Sequence, residues 1–264
     1  MRAISIAKPG QGTVNEDCAM AKENLIAVSD GAGGGGLYAD LWSKYLFENL
    51  PQEPICTFQE LDSWIGCIWE KFYNECEQKA KEAGGMVLSK FYDEGSFATL
   101  AAIWLHDEKA HWLAYGDSVA FCYSPSTGKL QHSFTSLTDF NKPPYLINCK
   151  DELDEKGFRS GVFEFLKGDV LFCASDALSH YILMMYELAN CNAYAEELHT
   201  AEQSGSKEST FIKNASNRKI DFSSILKKLI NCKNEYFFLR HLSKVYTEKL
   251  IALDDYSFAN HIVK

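Results

Sequence analysis

No C-x-x-C pair occurs in the chain, and its nine cysteines are odd in number. Zinc sites draw on ligands paired at short spacing, so a zinc site is not expected. Several of the thiols sit in apolar runs such as Val170-Leu-Phe-Cys-Ala174. There a free thiol behaves as a small hydrophobe, which fits a reducing compartment, and a cytoplasmic location is the expectation. Positive charge is also in short supply: 26 Lys and Arg face 36 Asp and Glu, for a net charge of −10. Phosphate backbones and anionic membranes are both bound by concentrated Lys and Arg, so neither nucleic acid nor membrane is expected as a partner. No apolar run approaches the roughly 20 residues that cross a bilayer. Met1-Arg-Ala-Ile-Ser-Ile-Ala-Lys-Pro9 is too short in apolar residues to be a secretory leader. The glycine run Asp30-Gly-Ala-Gly-Gly-Gly-Gly36 lacks the Gly-Lys-Ser/Thr ending of a P-loop. Nucleotide binding through that run is therefore the weakest of the functional readings.

What is present is ordinary for a globular protein: 264 residues, 46% hydrophobic and 23% charged, enough chain to bury a core without staples. Apolar runs predict strands over residues 2–7, 24–29, 97–105, 111–115, 119–123, 129–134, 161–166, 169–174 and 256–263. Tyr38, Leu41, Trp42, Tyr45 and Leu46 share one helical face. Thr57-Phe-Gln-Glu60 has the form of a capping box and opens a second helix. Further helices are predicted over 178–188, 222–229 and 235–250. Polar residues 201–217 predict a mobile surface loop. Strands separated by helix pairs, with no internal repeat and no long linker, predict one α+β domain over 1–264 with a variable helical and loop segment at about 180–250.

The acids lie at the ends of these runs. Glu16 and Asp17 follow the first strand, Asp30 ends the second, and Asp117 occupies a Gly116-Asp-Ser118 turn. Asp176 follows residues 169–174, and Asp254-Asp255 precedes the last strand. Any one of them alone reads best as a turn or cap residue. As a set they suit hard cations, because converging carboxylates repel one another unless cations or protons compensate, and oxygen donors favour Mg²⁺ or Mn²⁺ over zinc. Gly31 would let its carbonyl approach an ion.

Six short motifs then fall in order: Asn15-Glu-Asp17, Val28-Ser-Asp-Gly-Ala-Gly-Gly34, Gly95-Ser-Phe-Ala98, Tyr115-Gly-Asp-Ser118, Ala174-Ser-Asp-Ala177 and Asp254-Asp-Tyr-Ser257. Together they resemble the metal-dependent serine/threonine protein phosphatases of type 2C, in a divergent, bacterial-type form. The resemblance implies a four-layer α/β/β/α sandwich of two antiparallel sheets flanked by helices. It implies that Asp30 bridges two Mg²⁺ or Mn²⁺ ions, with Gly31 offering its carbonyl and Asp176 and Asp254 completing the set. By the same resemblance Glu16 and Asp17 act largely through metal-bound waters, and Asp117 helps to hold a third ion. The reaction implied is attack of a metal-activated bridging water on phosphoserine or phosphothreonine in a protein substrate, opposing a Ser/Thr kinase. A monomer is the expected state.

The chain also departs from the pattern. Gly12 stands where many members carry an arginine that grips the substrate phosphate, and Lys8 is the nearest cation in sequence. His180 stands four residues after Asp176, where many members place another acid. It is a candidate third-ion ligand or proton donor, or a histidine on a helix surface. Ala32 occupies the place of a histidine proposed as general acid in some relatives, and Ala177 and Phe97 replace a common glycine and threonine. These departures motivate an alternative function: a catalytically weak or inactive module of the same fold serving as a binding or regulatory partner.

Overall fold

The computed structural model describes residues 1–106 and 108–264. Its strands are β1 (Arg2–Ile6), β2 (Cys18–Lys22), β3 (Leu25–Ser29), β4 (Phe97–Ala98), β5 (Leu100–His106), β6 (Lys109–Tyr115), β7 (Val119–Ser124), β8 (Lys129–His132), β9 (Ile147–Asn148), β10 (Phe158–Phe163), β11 (Val170–Ala174) and β12 (Tyr256–Ile262). The helices are α1 (Ala39–Asn49), α2 (Phe58–Ala83), α3 (Gly85–Glu94), α4 (Asp176–Ala189), α5 (Ala195–Gln203), α6 (Lys207–Ser216), α7 (Phe222–Ile230) and α8 (Glu235–Thr247). One five-stranded sheet runs β1-β12-β11-β7-β8, the other β10-β6-β5-β3-β2, and β4 pairs separately with β9. These strands pair antiparallel throughout.

Side-chain alternation along the strands builds three apolar layers. In β11, Val170, Phe172 and Ala174 face α4–α8, whereas Leu171 and Cys173 face the other sheet. In β5, Leu100, Ala102 and Trp104 face α1–α3, and Ala101 and Ile103 face inward. The layer between the sheets is made largely of small residues: Ala101, Ala110, Ala120, Cys122, Cys173 and Ala259. The outer layers hold the large ones, Phe121, Phe172 and Phe258 on one side and Trp42, Phe72 and Trp104 on the other. Each such ring, fully buried, contributes about 1.5–3 kcal/mol. The expected four-layer sandwich is the observed fold.

All nine cysteines are free, with Cys122 and Cys173 in the inter-sheet layer where a small apolar group is required. Among the described residues, no helix is long and apolar enough to cross a membrane.

Several elements differ from the sequence reading. The expected strand over 97–105 breaks at Thr99, whose N–H turns to the Asp30 carbonyl (2.8 Å) and so divides β4 from β5. β10 begins three residues before the expected 161–166 strand; it is an edge strand with mostly half-exposed side chains, so no alternation marked its start. Strand β2 and helix α3 had not been anticipated; α3 buries only Phe91. The expected loop over 201–217 is instead the end of α5 and all of α6. Pairs of small or apolar residues three apart, Leu198/Ala201 and Ile212/Ala215, anchor these two polar helices, and Ser206 caps α6 by accepting from the Ser209 amide (3.3 Å). The Thr57 capping box is present: its hydroxyl accepts from the Glu60 amide at 3.3 Å and Glu60 accepts from the Thr57 amide at 3.0 Å.

Candidate metal centre

At the end of β3, the Asp30 amide is held by the Thr99 hydroxyl (3.3 Å), and Thr99 in turn meets the Ser118 hydroxyl (2.6 Å). One short chain of hydrogen bonds thus ties the Asp30 strand end to the Gly116–Ser118 turn. That turn needs glycine: Gly116 has φ +88°, and a Cβ there would stand 2.6 Å from the Tyr145 carbonyl. Asp176 opens α4, and its carboxylate accepts from the Ala177 amide at the positive end of the helix. Ser175 locks that junction to β12 by accepting from the Ser257 amide at 3.0 Å. Asp254 and Asp255 lie just before β12.

These rigid junctions bring acids from separate segments into one charge cluster. Asp17 is only 4% exposed. Burial raises its carboxyl well above the usual range, and the Asp176 charge raises it further. Asp30 is also raised well above that range, by burial and then by Asp17, Asp117 and Asp254; its hydrogen bond with Asp17 favours the proton on Asp30. Burial, Asp30, Asp117 and Asp254 do the same to Asp176. Asp117 is pushed up to about 6, chiefly by burial. Glu16 lies at the margin, raised by burial and drawn back by Lys8.

The residues fit hard divalent cations. Their donors are all oxygen, and Asp17 Oδ2 is buried with no hydrogen-bond partner, so an ion would satisfy a group that the protein leaves unpaired. The carboxylates interact through charge and do not stand as a finished cage. Among the described residues, no group of three His, Cys, Asp or Glu side chains is arranged ready to hold a metal.

The glycine run does a different job from cradling phosphate. Gly31 to Gly36 formally satisfies G-x-G-x-x-G, but two of its amides are turned inward, Ala32 donating to Phe97 O and Gly33 to Gly31 O, and Leu37 just after it donates to Gly95 O. A Cβ on Gly31 would come 2.5 Å from the Glu16 carbonyl, and one on Gly33 would meet the Glu16 carboxylate at 2.0 Å. The run therefore lets the chain pass directly beneath Glu16.

Lys8 is placed against an acid: its Nζ lies 3.0 Å from Asp254 Oδ1, with the two side chains 32% and 35% exposed. Burial pulls the ammonium down, but Asp254, Asp255 and Glu16 together hold it above its ordinary value. His180 is not a surface histidine. It is 4% exposed, and Phe140 and Phe211 meet its ring edge to face at 5.4 and 6.1 Å. Burial lowers it to about 4, so it is neutral at neutral pH, and its Nε2 has no partner.

Two residues had drawn no functional assignment from the sequence. Asp255 accepts from the Lys8 amide (2.8 Å) and the Glu16 amide (2.7 Å), fixing the first motif to the last. Its adjacency to Asp254 was visible, but two long-range amide bonds are not. Arg159, on β10, donates to the Gly116 carbonyl, lies over the Phe134 ring at 4.9 Å, and has its charge favoured by Asp117 and Asp139. No motif marks it, because its only signal is register: it pairs with Ala114, two residues before Gly116.

No family model matches the chain, and no curated protein sequence matches it. Solved structures do. The chain is similar to the catalytic domain of the serine/threonine protein phosphatase PstP, solved with two manganese ions: 15% identity, TM-score 0.55, covering 100% of this chain and 98% of that one. It is similar to PppA, described as a key regulatory component of T6SS in Pseudomonas aeruginosa: 17% identity, TM-score 0.51, covering 98% and 96%. It is also similar to the serine/threonine phosphatase Stp1 of Staphylococcus aureus: 14% identity, TM-score 0.52, covering 99% and 94%. The fold of this chain is the serine/threonine phosphatase fold, as the motif resemblance implied.

Proposed function

We propose that the chain is a Mg²⁺- or Mn²⁺-dependent phosphatase that hydrolyses phosphoserine and phosphothreonine in proteins, as a single divergent type-2C-like domain. The observation that carries this reading is the cluster of buried Asp17 with half-buried Asp30, Asp117 and Asp176, each pushed toward protonation by loss of solvent and by neighbouring acids. Such a cluster is costly to fold without cations, and functional sites are where such costs are retained. Asp30 and Asp176, with Asp254 and the Gly31 carbonyl, would hold two ions; Glu16, Asp17 and Asp117 would support them or a third. Bound divalent ions supply an activated water and neutralise charge on a transferring phosphoryl group.

The chain's own part is positioning. Asp255 pins the Glu16 loop through two amides, and Thr99 and Ser118 fix Asp30 relative to Asp117. Arg159 brings a half-buried positive charge to the Asp117 side. Lys8 supplies the nearest cation on the Asp254 side, where Gly12 leaves no arginine. A phosphorylated protein, in opposition to a Ser/Thr kinase, is the proposed substrate, and the free thiols support a cytoplasmic setting.

Hydrolysis of a small aryl phosphate and of a phosphothreonine peptide with Mn²⁺ tests the reading. Turnover no greater than that of an Asp30→Ala/Asp176→Ala double variant would sink it. The ion pair that occupies Asp254 favours a second reading, a weak or inactive module that serves as a binding partner. Calorimetric titration separates the two: two Mn²⁺ ions bound together with robust turnover would eliminate the module.

A further inference from the structure

A cavity of about 690 Å³ opens beside the acids and shares Asp117, Asp176 and Asp254 with them. Its other walls come from segments that the six motifs do not include: Phe140, Phe211 on α6, Tyr246 near the end of α8, and Ile251 to Leu253. Away from the three acids, Lys207, Lys249 and Glu208 also line it, so that part of the wall has no single sign of charge to define an occupant; its apolar residues do. His180 lines the same cavity, nearly fully buried, with an Nε2 that no protein group satisfies. A buried unpaired polar atom in a ligand-sized apolar cavity is the arrangement by which a site orients what it binds.

We propose that this cavity is a specificity pocket for a large aromatic or aliphatic side chain flanking the phosphorylated residue, with His180 hydrogen-bonding to the bound substrate. The proposal rests on the phosphatase reading and names the substrates of that site. A chain that presents a phosphate to Asp117, Asp176 and Asp254 must lie across the mouth of the cavity, because these acids form one of its walls. The volume holds one large side chain with part of its backbone. Phe140 and Phe211 give it two aromatic walls, and His180, neutral between them, offers one polar contact without a charge to desolvate.

Paired phosphonate peptides, non-hydrolysable and differing only in Phe or Gly beside the phosphorylated position, test this by fluorescence anisotropy with Mn²⁺ present. The Phe peptide is expected to bind about tenfold or more tightly. Phe211→Ala should abolish that preference, and Phe211→Tyr should restore it, while hydrolysis of a small aryl phosphate is unchanged. His180→Leu should raise KM for the Phe phosphopeptide about tenfold and leave kcat within a factor of about three. Equal binding of the two peptides, or a preference that survives Phe211→Ala, overturns the pocket. A fall in kcat alone for His180→Leu overturns its binding role. If the Phe preference and its dependence on Phe211 hold but no phosphate is hydrolysed, the pocket stands and the phosphatase reading fails.

Discussion

The acid cluster and the helical cover formed by α4–α8 border the same cavity but are built on opposite principles. The cluster gathers acids at strand ends and helix starts, where hydrogen bonds among Thr99, Ser118, Ser175 and the backbone fix the junctions and loss of solvent leaves the carboxylates poorly solvated. The cover gathers apolar side chains: α4 buries eleven residues in a row, Ala177 to Glu187, and α5–α8 pack around it through a few anchors each. The cluster stores a cost that a ligand can relieve, while the cover supplies the burial that sustains the cost. Stability and chemistry are thus carried by different parts of one wall.

The strongest way to break this contrast is to remove a charge from the cluster. Asp30→Asn should cut Mn²⁺-dependent turnover on the order of 10²–10³-fold. In chelator, the same variant should melt at a higher temperature than the parent, because a crowded carboxyl that must take up a proton or bear an uncompensated charge is gone. Differential scanning calorimetry with and without Mn²⁺ reads both states. A lower melting temperature in chelator would mean that Asp30 stabilises the fold and is not a strained ligand.

How much of this the sequence disclosed follows the same division. Asp30, Asp117 and Asp176 were legible because each sits beside glycine or serine at the end of an apolar run, where local backbone geometry and the motif coincide. The sandwich was legible through the same motifs, whose family resemblance implied it, while the unbroken apolar runs 100–104 and 170–174 marked strands buried on both faces. Residues 195–216 were not legible, since α5 and α6 are polar helices fixed by pairs such as Leu198/Ala201 and Ile212/Ala215. Two anchors in a polar stretch carry little periodicity, and only the α4 surface they meet makes them a helix pair. Arg159 and Asp255 were hidden because their roles are bonds to residues far away in sequence, Gly116 for one and Lys8 and Glu16 for the other.

Arg159→Met is expected to have the next largest effect. Its guanidinium bonds the Gly116 carbonyl and stacks over Phe134 beside Asp117, so its loss leaves a turn carbonyl unpaired and a half-buried acid less compensated. The cost should be about 2 kcal/mol in urea denaturation. Mn²⁺ should recover part of it by taking over the compensation. A loss that Mn²⁺ leaves untouched would place Arg159 among the purely structural residues.

Glu187 sharpens the contrast from the side of the cover. It is 3% exposed, its Oε2 has no partner, and burial lifts it to about 8 from an ordinary 4.5, aided by Glu197. The folded protein therefore keeps a proton that the unfolded chain releases, and stability falls as pH rises from about 4.5 towards 8. Glu187→Gln should remove that slope, matching the parent near pH 4.5 and becoming steadily more stable than it towards pH 8. Mn²⁺ should not mimic the substitution, since Glu187 lies outside the acid cluster. A parent whose melting temperature is flat across this range would show that Glu187 is hydrated or paired in solution.

Lys8→Met should be the mildest change and the one that decides between clamp and competitor. The Lys8–Asp254 pair is about one-third exposed on each side, so its removal should cost less than about 1 kcal/mol. As a cation at 3.0 Å from Asp254, Lys8 competes with any ion that Asp254 would bind. Mn²⁺ should therefore bind the variant a few-fold more tightly by calorimetric titration, most clearly at low salt. If Lys8 also reaches the substrate phosphate once an ion has displaced it, KM for a phosphopeptide should rise in the same variant. Tighter metal with unchanged KM would leave Lys8 a competitor only, and the positive charge on the phosphate would then fall to the ions and Arg159.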